Sequence, residues 1–111
     1  MPNKNKLVRI FIGNVANAVV HEVLENAIEE KSLRSHYGKE MQNSFLLAKR
    51  YRGKLNPAGK PLPDKESADI KANIIKKAVH ELKIRIKKGY TGIDIDSAGK
   101  IAETLLKRLK A

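Results

Sequence analysis

Cysteine and tryptophan are both absent from this chain of 111 residues, and phenylalanine and tyrosine together number only five. Without cysteine the chain forms no disulfide, supplies no thiolate to a metal and carries no cysteine nucleophile. The aliphatic content is ordinary, which indicates a globular protein rather than a disordered one. A chain of this length has one core, so we predict a single domain over residues 1–111.

A long apolar run is absent as well. The chain begins MPNKNKLVRIFIGNV, in which Arg9 interrupts the apolar stretch that a secretory signal needs. No uncharged stretch reaches the length of a transmembrane helix. The lack of cysteine also fits a reducing compartment. We therefore predict a cytoplasmic protein without a membrane partner.

Acidic residues are scarce. Aspartate and glutamate number 12 against 23 lysines and arginines, which gives a formal net charge of +11. The excess begins at Lys31, because residues 31–63 carry eight basic residues and a single acidic residue, Glu40. A surface of this charge attracts polyanions, and nucleic acid is the most common of them. Nucleic acid is therefore the predicted partner.

Hydrophobic spacing predicts an all-α protein. Apolar residues recur every three or four positions over residues 14–31, 33–52, 64–88 and roughly 97–110. Residues 7–12 fit either a strand or an extension of the first helix, and the stripe of Val8, Phe11 and Val15 favours the helix. Residues 53–63, GKLNPAGKPLP, predict an irregular loop, since proline removes a backbone donor. The predicted fold class is a compact bundle of about four helices with one Pro/Gly-rich loop.

The helix ends follow from residues that cap helices. Short polar side chains accept hydrogen bonds from the free N–H groups of a first turn. Glycine ends a helix readily, which places the end of the second helix at Gly53. The predicted N-caps are, in chain order, Asn3 or Asn5, Ser32, Asp64, and Asp96 or Ser97.

The third helix carries two groups of apolar residues. One group forms a tight stripe and is the predicted core face: Ile75, Val79, Leu82 and Ile86. The other group lies to another side: Ile70, Ile74 and Ile84. A buried face this wide predicts either the central helix of a bundle or a second surface that meets a homodimer or a helical protein partner.

The segment RIFIGNV, residues 9–15, resembles the ribonucleoprotein motif on the first strand of RNA-recognition-motif domains. The resemblance implies a base stacked on Phe11. That family also needs four strands and a longer aromatic motif on the third strand, and no segment matches it. Because the chain downstream predicts helices where strands are required, we interpret the segment as part of the first helix.

Candidate metal and catalytic groups are too few in each place. His21 and Glu25 share a helix face, as do His36 and Glu40, but each pair supplies two ligands where a metal needs three or four. Asp94 and Asp96 are explained by a turn that leads into the N-cap of a helix. We therefore predict no metal site, no cofactor and no catalytic residue.

Two basic clusters are the predicted nucleic-acid-binding residues. On the third helix, Lys76, Lys83 and Lys87 fall on one narrow stripe with His80 beside them. The second cluster lies at the end of the second helix and in the loop: Lys49, Arg50, Arg52, Lys54 and Lys60. Tyr51 lies among them, where its ring would stack on a base or, as its spacing favours, pack in the core.

These patterns predict a small basic helical protein that binds nucleic acid through phosphate contacts without catalysis. RNA is preferred slightly over DNA, because no helix-turn-helix with a short glycine turn is evident. The alternative is a protein-interaction or assembly module, which the apolar surface of Ile70, Ile74 and Ile84 would serve. An enzyme ranks third, and a nuclease is the activity that fits best.

Overall fold

The computed structural model describes residues 4–55 and 62–111, and four α-helices make up most of them. The helices are α1 (Lys4–Ala27), α2 (Lys31–Leu55), α3 (Asp64–Lys87) and α4 (Ser97–Arg108). No strand occurs in these two ranges. The predicted all-α bundle of about four helices is therefore confirmed.

The first helix includes the contested residues. α1 runs without interruption from Lys4 to Ala27, so residues 7–12 are helical and the strand alternative is wrong. Phe11 points into the core with none of its surface exposed, and it is not available to stack on a base. Asn5 lies inside the helix, which rules it out as the cap, while Asn3 lies outside the described residues.

α1 is the central element of the bundle. It packs against all three other helices, whereas α2 packs mainly against α1, and α3 packs against α1 and α4. Eight of its residues are buried, on more than one side of the helix. A helix with apolar residues on more than one side needs neighbours on more than one side, which explains why α1 occupies the middle.

By length and composition alone, α1 is also apolar enough to cross a membrane. The core helix of a globular protein passes the same test, and α1 is packed by three helices. The cytoplasmic location stays a prediction.

The chain passes up and down the bundle. Lys4 pairs with Glu66 at 3.2 Å, so α1 and α3 start at the same end and run parallel. The ring of His21 on α1 stacks on Tyr37 of α2 with centroids 6.0 Å apart, which brings the end of α1 beside the start of α2. α2 is therefore antiparallel to α1, and the end where α1 finishes is also the end where α3 finishes.

Both predicted ends of α2 differ from those observed. α2 begins at Lys31, and the Arg34 N–H donates to the Glu30 carbonyl at 2.9 Å, so Ser32 lies inside the first turn rather than at the cap. Gly53 does not end α2, which continues to Leu55. Residues 56–61 of the predicted loop lie outside the described residues.

The caps of α3 and α4 also differ in detail. Pro63 occupies the N-cap position of α3, which makes Asp64 the first helical residue and leaves its charge near the positive end of the helix dipole. Asp96 does occupy the N-cap position of α4, but its side chain makes no capping hydrogen bond. The hydroxyl of Ser97 instead donates to the Asp94 carbonyl at 2.7 Å.

The buried face of α3 is only partly the one that the sequence predicted, since Leu82 alone of the predicted stripe is fully buried. Its buried residues recur every fourth position: Ile70, Ile74, Ala78 and Leu82. Ile75 and Val79 are only partly buried, and Ile86 is 42% exposed. Ala78 completes the stripe. Because alanine is small and only weakly hydrophobic, its position does not stand out in the sequence.

This register settles the position of the second apolar group. Ile70 and Ile74 are fully buried within the single chain, and Ile84 is partly buried. Of the two predictions for this group, core of the bundle or interface with a partner, Ile70 and Ile74 belong to the core. Neither is exposed to meet a second chain.

We expect Phe11→Ala to lower the free energy of unfolding by about 3–5 kcal/mol, because it opens a cavity in the centre of the bundle. Leu46→Ala is the matched control, since Leu46 is 61% exposed and its loss should change stability by less than about 0.5 kcal/mol. Urea denaturation followed by circular dichroism measures both. Equal stability of Phe11→Ala and the parent protein would contradict the central position of α1.

Candidate nucleic-acid interface

The predicted lysine stripe lies on the outer side of α3. Lys76, Lys83 and Lys87 are all exposed, and His80 between them is exposed as well. They occur at spacings of three and four residues, which aligns them along one side of a helix over roughly 16 Å. The stripe lies opposite the buried residues Ile74 and Ala78, so its ammonium groups face solvent. We call these four residues the α3 stripe.

The charges of the α3 stripe are not neutralised by carboxylates. Ion pairs in the described ranges involve Lys4, Lys71, Arg85 and Lys107, and none of them involves a residue of the stripe. Lys77 lies beside the stripe on the side of α1, where its Nζ is 3.7 Å from the position that a Cβ would take at Gly13.

An open depression of about 1090 Å³ extends over the same side of α3 and reaches α1. Ile12, Ile75 and Val79 contribute apolar surface to it. None of the described residues that line it is acidic, and five carry basic side chains: Arg9, Lys76, Lys77, His80 and Lys83. Arg9 and Lys77 therefore extend the basic surface beyond the stripe, although the sequence did not single them out.

Arg52 does not belong to a basic surface, which corrects its prediction as a nucleic-acid-binding residue. Its side chain is only 6% exposed. Its guanidinium donates twice to the backbone carbonyl of Lys110, from Nε at 3.1 Å and from Nη2 at 2.7 Å. Lys110 has a positive φ of 56°, so the chain turns at the residue whose carbonyl accepts these two hydrogen bonds. Arg52 thus ties α2 to the segment that follows α4.

The other residues of the second cluster do not form one patch. Lys49 and Arg50 are exposed but consecutive, so they point about 100° apart around α2. The Lys54 ammonium lies over the ring of Tyr51, 4.9 Å from its centroid, and Tyr51 is partly buried. Lys60 lies outside the described residues. α2 and α3 share no extensive packing in the described ranges, so this cluster does not continue the α3 stripe.

The pairs His21–Glu25 and His36–Glu40 gain no third metal ligand among the described residues. No group of three or more histidine, aspartate or glutamate side chains with metal-binding geometry occurs in residues 4–55 and 62–111. This observation does not test the prediction of no metal site and no cofactor.

The structure assembles an aromatic cluster that sequence reasoning missed. His21 of α1, His36 and Tyr37 of α2, and Tyr90 of the α3–α4 turn meet at the end of the bundle where α3 finishes. The Tyr37 ring stacks on His21 with an angle of 25° between the planes, and it meets His36 edge-on at 5.7 Å. Burial raises the pKa of Tyr37, and the neighbouring Tyr90 raises it further.

A glycine turn places Tyr90 in this cluster. Gly89 has a positive φ of 102°, which a residue with a side chain rarely adopts, and it reverses the chain directly after α3. The Tyr90 N–H then donates to the Arg85 carbonyl at 3.1 Å, which closes the last turn of the helix. The pair of glycines in GYTG was the signal for a turn, but the sequence did not reveal where its tyrosine would lie.

Comparison of the chain with protein-family models, with curated proteins and with solved structures gives no match. The function of the chain is therefore inferred from its own charges, contacts and exposed side chains.

Arg52→Gln should destabilise the fold by about 2 kcal/mol, since it removes a charged donor from the Lys110 carbonyl. Arg50→Gln is the matched control: it changes the net charge equally, but its exposed side chain should contribute less than about 0.5 kcal/mol. Thermal denaturation of the two variants tests the assignment. Similar melting temperatures for both would show that Arg52 has no structural role.

The stability of the fold should fall as pH decreases below about 6.5. Burial lowers the pKa of His21 below its ordinary value of 6.5, opposed by Glu40 and assisted by Arg85 and His36. The Nδ1 atom of His21 is buried and lacks a hydrogen-bond partner among the described residues. Because the unfolded chain takes up this proton first, stability is fully present above the ordinary pKa and is lost as pH falls towards the folded pKa.

Urea denaturation at a series of pH values between about 5 and 8 measures this effect. The difference in stability between the parent protein and His21→Gln should shrink as pH falls below 6.5. His80→Gln is the control, because His80 is exposed on α3 and the parent profile should persist in that variant. A difference between His21→Gln and the parent protein that is constant across the range would contradict the assignment.

Proposed function

We propose that this protein binds nucleic acid, without catalysis, through contacts between phosphate groups and the α3 stripe. The observation that carries the proposal is a row of exposed basic side chains on one rigid helix, none of them paired with a carboxylate in the described residues. Ammonium groups on a rigid helix can contact phosphates without rearrangement of the backbone. Such contacts carry no information about the base sequence. Affinity should accordingly be electrostatic and nearly independent of sequence.

Lys77 and Arg9 support the proposal because they broaden the stripe towards α1. Together with Lys76, Lys83 and Lys87 they offer about five phosphate contacts, if each cation neutralises one phosphate. Arg52 makes no contribution to this number, since its guanidinium is committed to the Lys110 carbonyl. We propose a slight preference for RNA over DNA, because no helix-turn-helix with a short glycine turn is evident.

The alternative, a protein-interaction or assembly module, has less support. Ile70 and Ile74, on which it was based, lie in the core of the single chain. Leu46 and Leu47 on α2 are exposed and neighbouring, at 61% and 41%, but two adjacent leucines are ordinary for a protein surface. The α3 stripe therefore remains the better-supported site.

A triple variant with Lys76, Lys83 and Lys87 changed to Gln should weaken binding to every nucleic-acid sequence alike. For single-stranded RNA the log–log slope of affinity against salt should be roughly −2 to −4 in the parent protein, and it should lose about 2 in the variant. Filter-binding titrations at a series of salt concentrations measure both quantities.

The matched control changes Lys31, Lys39 and Lys100 to Gln, which removes the same charge from exposed positions away from the stripe. This control should keep most of the parent slope, because its lysines are not aligned on one face. Circular dichroism establishes that each variant is folded. Equal losses in the two triple variants would show that net charge alone attracts the nucleic acid and would contradict a site on α3.

A further inference from the structure

We propose that the aromatic cluster of His21, His36, Tyr37 and Tyr90 is a stacking site for an unpaired base of a single-stranded nucleic acid. This inference rests on the proposed function, since the phosphates of the same strand would lie along the α3 stripe. It adds the class of nucleic acid, which is single-stranded, and a second set of contacts that phosphate binding does not require.

Two residues of the cluster are exposed. Tyr90 is 42% exposed and His36 is exposed, while Tyr37 and His21 support them from inside. Two other aromatic rings are already covered within the chain. Lys54 lies over Tyr51 at 4.9 Å, and Arg108 lies over Phe45 with its guanidinium carbon 4.3 Å from the ring centroid. In the described ranges, no lysine or arginine side chain lies over the ring of Tyr90 in this way.

The cluster and Lys87 lie at the same end of α3. Lys87, the last residue of the stripe, is also the last residue of α3, and Lys88 and Gly89 separate it from Tyr90. The glycine turn folds Tyr90 back over the last turn of the helix through its hydrogen bond to the Arg85 carbonyl. Arg85, which is near Tyr37, lies on the buried side of α3. A strand that follows the stripe would therefore pass around the end of α3 to reach Tyr90.

The charges at this end favour a base over a further phosphate. The C-terminal end of α3 carries the negative end of the helix dipole. Glu81 pairs with Arg85 at 3.5 Å, and Glu40 acts on His21, so the cationic groups here are partly neutralised. A neutral ring that stacks is accommodated by such surroundings, whereas a phosphate is better placed on the stripe.

The chemistry of the cluster selects for single strands. A base in a duplex has both faces covered by its neighbours, while an unpaired base can turn outward and place a face on an aromatic ring. The hydroxyl of Tyr90 and the imidazole of His36 would lie at the rim of such a stack, but stacking itself is indifferent to sequence. The site therefore takes an unpaired base of any identity.

The test compares two dye-labelled oligomers of equal length: a short oligothymidylate and an oligomer of abasic sites, which has the same phosphates but no bases. Fluorescence anisotropy at fixed salt measures the affinity for each. We expect the parent protein to bind the oligothymidylate about 5- to 150-fold more tightly than the abasic oligomer, which is the contribution of one base–aromatic stack.

Substitution of the rings should remove this preference and leave phosphate binding unchanged. Tyr90→Ala and His36→Ala should each bring the oligothymidylate affinity down towards that of the abasic oligomer. Tyr90→Phe keeps the ring and is the matched control, so it should retain the preference. If Tyr90→Ala lowers the melting temperature, His36→Ala decides the result, because His36 is exposed on α2.

The outcomes separate this inference from the proposed function. Salt-sensitive binding of both oligomers with equal affinity would overturn the stacking site and leave phosphate binding by the α3 stripe intact. A preference that Tyr90→Ala and His36→Ala both retain would also overturn it, since the stack would then lie elsewhere. Failure of both oligomers to bind would overturn the proposed function together with the stacking site.

Discussion

The packing of α1 against the three other helices is the constraint on which the rest of the structure depends. α1 is apolar on several sides, and burying it leaves little of its surface for charged groups. The outer surface is therefore built mainly from residues after α1. Residues 31–111 contain twenty basic and eight acidic residues, so a fold that places α1 in the centre necessarily presents a basic exterior. The positive charge of the exterior thus follows from the arrangement of the core.

Much of this arrangement could be predicted from the sequence because helical periodicity is a local property. The four helices follow directly from the spacing of their apolar residues. The register of α3 could not be predicted from spacing alone, because two apolar stripes compete and the small Ala78 decides between them. Arg52 was misassigned for a related reason: its partner, the Lys110 carbonyl, is remote in sequence.

The candidate site also has one part that the sequence could predict and one part that it could not. The α3 stripe lies on one helix, so its spacing sufficed to place Lys76, Lys83 and Lys87 together, and all three are exposed. The aromatic cluster draws on α1, α2 and the α3–α4 turn, and only the packing of α1 on α2 brings the ring of His21 to 6.0 Å from that of Tyr37. Arg9 and Lys77 were overlooked because the depression that they line is formed jointly by two helices.

The central claim, that the basic exterior binds nucleic acid, is tested most directly by the ratio of absorbance at 260 and 280 nm of the protein purified from cells. The chain contains three tyrosines and no tryptophan, so its own absorbance is weak and bound nucleic acid is readily detected. The account predicts an excess at 260 nm after purification at low salt that a high-salt wash removes, because salt competes with phosphate contacts. Purified protein without such an excess, or with an excess that high salt leaves in place, would contradict it.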